Sequence, residues 1–330
     1  MIAQITPLYI KTRPAKVISR LMSYAFFEGR PLTTSGRWIN PLVFTHFAIV
    51  KRLPQLKKVK KPIFIIGSGR SGTTILGMLM SIHRDVGFLN EPKALWHSIY
   101  PEEDVIGNYS RGQAYYLLSA DDATERVRQY AHRLFGMYLF AVASSRLVDK
   151  YPELIFRIPF VKAIFPDAKF IFLTRNGWAT CASINLWSKQ YGNRAKEKTH
   201  DWWGLNNRKW TFMVEQLVKT DFDLKELIGC IEKLDNHLDM TAVEWIVTMK
   251  EGLRQKSLYS DCIHMLKYEQ LVQEPRKVLI ELLGFCELKN DEVFFKYAER
   301  QLKPVPAKNT FKINPIILPL FEKTMKEMGY

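Results

Sequence analysis

Gly67-Ser-Gly-Arg-Ser-Gly-Thr-Thr74 is the stretch from which the fold can be read. Before it, Pro62-Ile-Phe-Ile-Ile66 is a short apolar run that ends on glycine, as a strand buried in a parallel sheet does. After it, Ile75, Leu76, Met78, Leu79, Met80 and Ile82 make Thr73–Ile82 apolar nearly all round, the pattern of a helix packed against that sheet. A glycine-rich turn from strand to helix gathers successive backbone N–H groups and the positive helix end around one point, which suits phosphate oxygens. Such a turn can be purely structural. The glycines, hydroxyls and Arg70 in one turn favour an anion cradle.

The loop differs from the one that holds nucleoside triphosphates, GxxxxGK[ST], whose lysine reaches the β- and γ-phosphates and whose hydroxyl sits on magnesium. Thr73 stands where that lysine would be, and the cation has moved back to Arg70. The later apolar run Phe170–Thr174 ends in Arg175 rather than a magnesium-binding Asp. No metal is therefore expected, and a transferred group less charged than a phosphoryl fits the site.

Working outward, strands are also expected at Leu154–Ile158, Lys169–Thr174 and Cys262–Lys267, each followed by a helical segment. That alternation predicts an α/β fold, a central parallel sheet flanked by helices. Two long regions, about 95–147 and 185–260, carry helical patterning and Trp202, Trp203, Trp210 and Trp245. They are expected to cover the sheet and shape an acceptor pocket; for any single Trp the plain alternative is core packing.

The chain has 330 residues, 47% of them apolar, enough for one large domain or two modest ones. Cys181, Cys230, Cys262 and Cys286 are far apart and form no CxxC pair, so reduced core thiols are expected and a zinc site is not. No run approaches the ~20 apolar residues of a membrane span, and the first residues lack a signal-peptide pattern, so a cytoplasmic location is expected. The lone sequon, Asn108-Tyr109-Ser110, matters only in a secreted protein.

The formal charge is +15 and unevenly spread, since residues 1–61 hold twelve Lys and Arg against Glu28 alone. This segment is read as a basic N-terminal extension to a domain spanning 62–330. Its mixture of basic and aromatic residues suits an anionic membrane surface, a nucleic acid or an acidic acceptor; a solvated basic face is the alternative. No nucleic-acid-binding motif accompanies the charge, so no specific nucleic acid is expected.

From about residue 62 to the C-terminus the sequence resembles the sulfotransferases that use 3'-phosphoadenosine 5'-phosphosulfate (PAPS), most closely the tyrosylprotein sulfotransferase-like branch. Gly69-Arg70-Ser71-Gly72-Thr73-Thr74 matches the family loop that binds the 5'-phosphosulfate. Phe165-Pro-Asp-Ala-Lys-Phe-Ile-Phe-Leu-Thr-Arg-Asn-Gly177 is similar to the family's FPxxKFxxxxRDG stretch, and Arg175 and Ser183, eight residues apart, match the pair that holds the 3'-phosphate. Asp149-Lys150-Tyr151-Pro152 resembles the KxP element, whose lysine reaches the transferred sulfate, and Lys267-Tyr268-Glu269-Gln270-Leu271 resembles the YEQL element, which implies Tyr268 beside the nucleotide. Met328-Gly-Tyr330 is similar to the family's ending.

The resemblance implies a P-loop-type sheet, a PAPS donor and a hydroxyl or amine acceptor, which could be a sugar, lipid, phenol or peptide. It implies Arg70 and Lys150 at the leaving phosphate, and Glu91, in Asn90-Glu91-Pro92, as the acceptor's base. A Glu before Pro could equally be an exposed turn residue. His83, His97 and His132 are the weaker base candidates. Two departures stand out: Trp187 replaces a basic residue four positions after Ser183, and the lysine that closes over the nucleotide could be Lys308 or Lys312. A P-loop kinase, or a non-catalytic membrane or nucleic-acid binder that keeps the fold, are the rival readings.

Overall fold

The computed structural model describes residues 2–195, 198–303 and 311–330. Its strands, in chain order, are β1 (Ile63–Gly67), β2 (Val86–Asn90), β3 (Arg146–Lys150), β4 (Lys169–Thr174), β5 (Asn193–Ala195), β6 (Lys198–Asp201), β7 (Gly204–Leu205) and β8 (Ile263–Lys267). Five of them form one parallel sheet in the order β2-β3-β1-β4-β8. β1 is central and buried along its whole length, as its unbroken apolar run requires. The chain fills one side of β1 with β2 and β3 and the other with β4 and β8, so the crevice outside the strands' carboxyl ends is where such a sheet holds a ligand.

The α/β architecture and the helix Thr73–Ile82 agree with the sequence pattern. The expected strand Leu154–Ile158 does not form: those residues lie in the 3-10 turn Pro152–Arg157 and at the start of the helix Ile158–Ile164. Pro152 and Pro159 each lack an N–H for a sheet ladder, and an apolar run buried all round looks alike as strand or helix. The strand beside β1 is instead β3, just upstream. The region 185–260 is not wholly helical either, since β5, β6 and β7 form a small antiparallel meander inside it.

Residues 2–61 are part of the packed body. Phe27, Val43, Phe47 and Val50 share one core with Phe64, Leu89 and Trp96. Three of the basic residues there are spent inside the protein: Arg13 pairs with Asp291 at 2.7 Å, Lys16 Nζ donates to the Val86 carbonyl at 2.6 Å, and buried Arg20 pairs with Glu28. Among the described residues, no helix is long and apolar enough to cross a membrane.

Candidate active site

β1 delivers the loop, and its glycines are forced. Gly67 has φ 138°, and a Cβ there would lie 2.4 Å from the Leu173 carbonyl oxygen. Gly72, at φ 102°, would set a Cβ 2.4 Å from the Tyr268 ring. Between them Arg70 adopts φ 66°, a strained conformation for a residue with a side chain, and one of the kind that collects at functional sites. Its Nε donates to Ser183 Oγ at 3.2 Å, and its carbonyl accepts from Arg175 Nη1 at 3.3 Å.

Ser71 is buried and donates its hydroxyl to the Ser68 carbonyl at 2.7 Å, so it braces the loop and its O–H is not free to donate to an anion. Thr73 and Thr74 open the following helix, whose first N–H groups have no partner within it. The Arg175 guanidinium lies 4.8 Å over the Tyr268 ring. Asn176 caps the helix Gly177–Tyr191 that carries Ser183, with its side chain accepting from Ala179 N–H, and the Arg175 carbonyl accepts from Trp245 Nε1 at 3.3 Å. Those two turns of helix bring Ser183 back to Arg70.

A cavity of about 840 Å³ opens outside the strand ends, lined by Gly67–Arg70, Thr73, Thr74, Glu91, Lys150 and Ser183 among others. Glu91 and Lys150 meet there because β2 and β3 pair with Asn90 opposite Lys150. The Glu91 N–H donates to the Lys150 carbonyl at 2.7 Å, and the Lys150 ammonium ion-pairs with Glu91 Oε1. Lys93 stands 3.7 Å from Glu91 Oε2. Burial pushes the Glu91 carboxyl up, but Lys150 and Lys93 outweigh it and hold it at about 2. For Arg70, burial pulls the guanidinium down against the opposing pull of Glu91.

Further charges line the same cavity that sequence reasoning did not single out. Lys93 also pairs with Glu153 at 3.1 Å, Lys209 pairs with Glu244, and Trp202 Nε1 donates to Glu244 Oε2 at 2.5 Å. Burial pushes the Glu153 carboxyl up, and Lys93 and then Lys209 pull it below its usual range. Lys93 and Glu153 sit two and three residues beyond Glu91 and Lys150, a proximity that could have flagged them. Lys209 and Glu244 are 35 positions apart, and no local pattern links them.

The three histidines bind carbonyls away from the cavity: His83 that of Lys289, His97 that of Pro101 and His132 that of Ile164. Lys312 is exposed and does not line the cavity; Lys308 lies outside the described residues. Among the described residues, no group of His, Cys, Asp and Glu could hold a metal ion.

Residues 62–221 match the model of the sulfotransferase family. The chain is 25% identical over 249 residues to protein-tyrosine sulfotransferase of Drosophila melanogaster, covering 73% of this chain and 41% of that protein. It is 26% identical over 236 residues to protein-tyrosine sulfotransferase 1 of Danio rerio, covering 70% of this chain and 54% of the relative. The chain thus spans about half, or less, of the length of these relatives. The solved sulfotransferase STF9 from Mycobacterium avium aligns over 99% of this chain and 88% of its own, with 12% identity and a TM-score of 0.48. The anion loop at the end of β1, the match over residues 62–221 and the protein-tyrosine sulfotransferase relatives point to one family: the chain is similar to the sulfotransferases, with protein-tyrosine sulfotransferases among its relatives.

Proposed function

We propose that the protein transfers a sulfuryl group from PAPS to a hydroxyl or amine of an acceptor by in-line displacement. The observation that carries this reading is the meeting of Arg70 and Ser183 at one loop, with Lys150 and Glu91 lining the same cavity; Arg175 is not part of that lining and reaches the loop through the Arg70 carbonyl. The loop's N–H groups and Arg70 would hold the 5'-phosphosulfate, Arg175 and Ser183 the 3'-phosphate, and Tyr268 the nucleotide's edge.

The acceptor oxygen attacks sulfur as the bond from sulfur to the 5'-phosphate oxygen breaks. The electron pair leaves on adenosine 3',5'-bisphosphate, whose charge Arg70 and Lys150 offset. The acceptor proton passes to Glu91. A carboxylate held at about 2 is a weak base, so the resting pair with Lys150 keeps Glu91 quiet. When the Lys150 ammonium turns to the sulfuryl oxygens, Glu91 loses its strongest partner and its basicity rises. Arg70 and Lys150 are catalytic in this account, with Glu91 the base.

The test is nucleotide discrimination followed by turnover. Adenosine 3',5'-bisphosphate should raise the melting temperature and AMP should do so poorly, with Arg175→Ala erasing the difference while leaving the fold intact. Labelled PAPS should pass its sulfate to some component of a metabolite extract. Equal stabilisation by both nucleotides, or turnover of a nucleoside triphosphate instead, would overturn the reading.

A further inference from the structure

The helix Asn40–Val50 buries Asn40, Val43, Phe47 and Val50 and turns its other face to water. On that outer face, and along the turns flanking it, lie Trp38, 77% exposed, Leu42, 64%, Ile49, 55%, and Leu53. Leu42 and Ile49, seven residues apart, share one side of the helix, and Trp38 and Leu53 lie four residues beyond either end of that pair in the flanking turns. Large apolar side chains so grouped cost free energy in water unless something covers them. The same stretch carries no Asp or Glu from Gly29 to Arg84, whereas Arg37, Arg52 and Lys58 flank the group in sequence and are exposed.

We infer that this face docks onto an anionic lipid bilayer. These side chains would enter the boundary between headgroups and acyl chains, and the flanking cations would meet the lipid charge. A second copy of the chain is a poorer cover, because a two-fold contact would set one acid-free basic segment against another. A nucleic acid would neutralise the charge but leave the aliphatic side chains in water.

The docking face adjoins the active-site cavity. Arg30, Pro31, Leu32, Thr33 and Thr34 line that cavity, and the four residues from Thr34 to Trp38 can span at most ~14 Å. Docking therefore brings the cavity's rim close to the membrane surface.

Flotation of the full chain with vesicles tests this without using sulfuryl transfer, so its failure is distinct from failure of the proposed activity. At low salt, vesicles of phosphatidylcholine with about 30% phosphatidylserine should carry the protein, pure phosphatidylcholine should carry far less, and added salt should weaken binding. The triple variant Trp38→Ala, Leu42→Ser, Ile49→Ser should bind at least roughly tenfold more weakly. Arg37→Gln, Arg52→Gln and Lys58→Gln should each cost about fivefold. All six side chains are exposed, so unchanged circular dichroism and melting are expected. No binding to anionic vesicles at low salt overturns the inference. So does charge-only binding that the triple variant retains, binding to polynucleotide but not to vesicles, or a dimer that the triple variant dissolves.

Discussion

Glu91 follows β2 at φ 48° in a left-handed conformation, and its carboxylate is shared between Lys150 and Lys93. Glu91→Gln keeps the shape and removes the proton acceptor. Transfer from labelled PAPS should fall by ~10²- to 10⁴-fold while bisphosphate affinity stays near wild type; near-normal transfer would remove Glu91 from the mechanism. One residue before Lys150, Asp149 is fully buried and accepts from Trp96 Nε1 at 2.7 Å. Burial pushes its carboxyl up to about 8, against the downward pull of Trp96 and Lys150. The folded state therefore keeps a proton that the unfolded chain releases near pH 4, so this group's contribution to stability falls as pH rises from about 4 through 8. The slope is roughly 1.4 kcal/mol per pH unit. Asp149→Asn can still accept from Trp96 and does not titrate. Its melting temperature relative to wild type should climb between pH 5 and pH 8, and a constant difference would contradict the argument.

At the level of elements, the strand-loop-helix unit depends on how closely Tyr268, just after β8, presses on Gly72. Gly72→Ala meets two penalties, a left-handed backbone and a methyl driven into the ring. Gly36 offers the comparison, because it has φ 83° with nothing within 4 Å of an added Cβ. Gly36→Ala should lose only the ~1 kcal/mol of backbone strain. Gly72→Ala should lose roughly 1–3 kcal/mol more and give up the thermal shift with adenosine 3',5'-bisphosphate. Chemical denaturation of the two variants beside wild type measures the difference. Equal losses would mean that Tyr268 yields freely and does not set the loop.

For the whole molecule, residues 2–61 act as a wall of the same core. Glu28, held by Arg20, also accepts from the Asn90 N–H at 2.7 Å, so this segment grips the turn that presents Glu91. Losing Phe27, Val43, Phe47 and Val50 removes several buried side chains, and deleting even one large core residue typically costs 2–5 kcal/mol of a total near 5–15. A chain starting at residue 62 should therefore be insoluble or melt without a cooperative transition by circular dichroism; a soluble, cooperatively melting product would make 62–330 a domain of its own. The sequence by itself determined the loop, β1, β4, β8, the helix after the loop and the spacing of Arg175 and Ser183. Each of these is written in neighbouring residues, through glycine, a short apolar run or helical periodicity. Only the tertiary structure decided that Leu154–Ile158 turns instead of pairing, that Lys209 meets Glu244, and that the basic leader folds against the sheet. An apolar run buried on all sides has no period to read, and an ion pair closed across 35 residues is chosen by packing, which no local stretch of chain encodes.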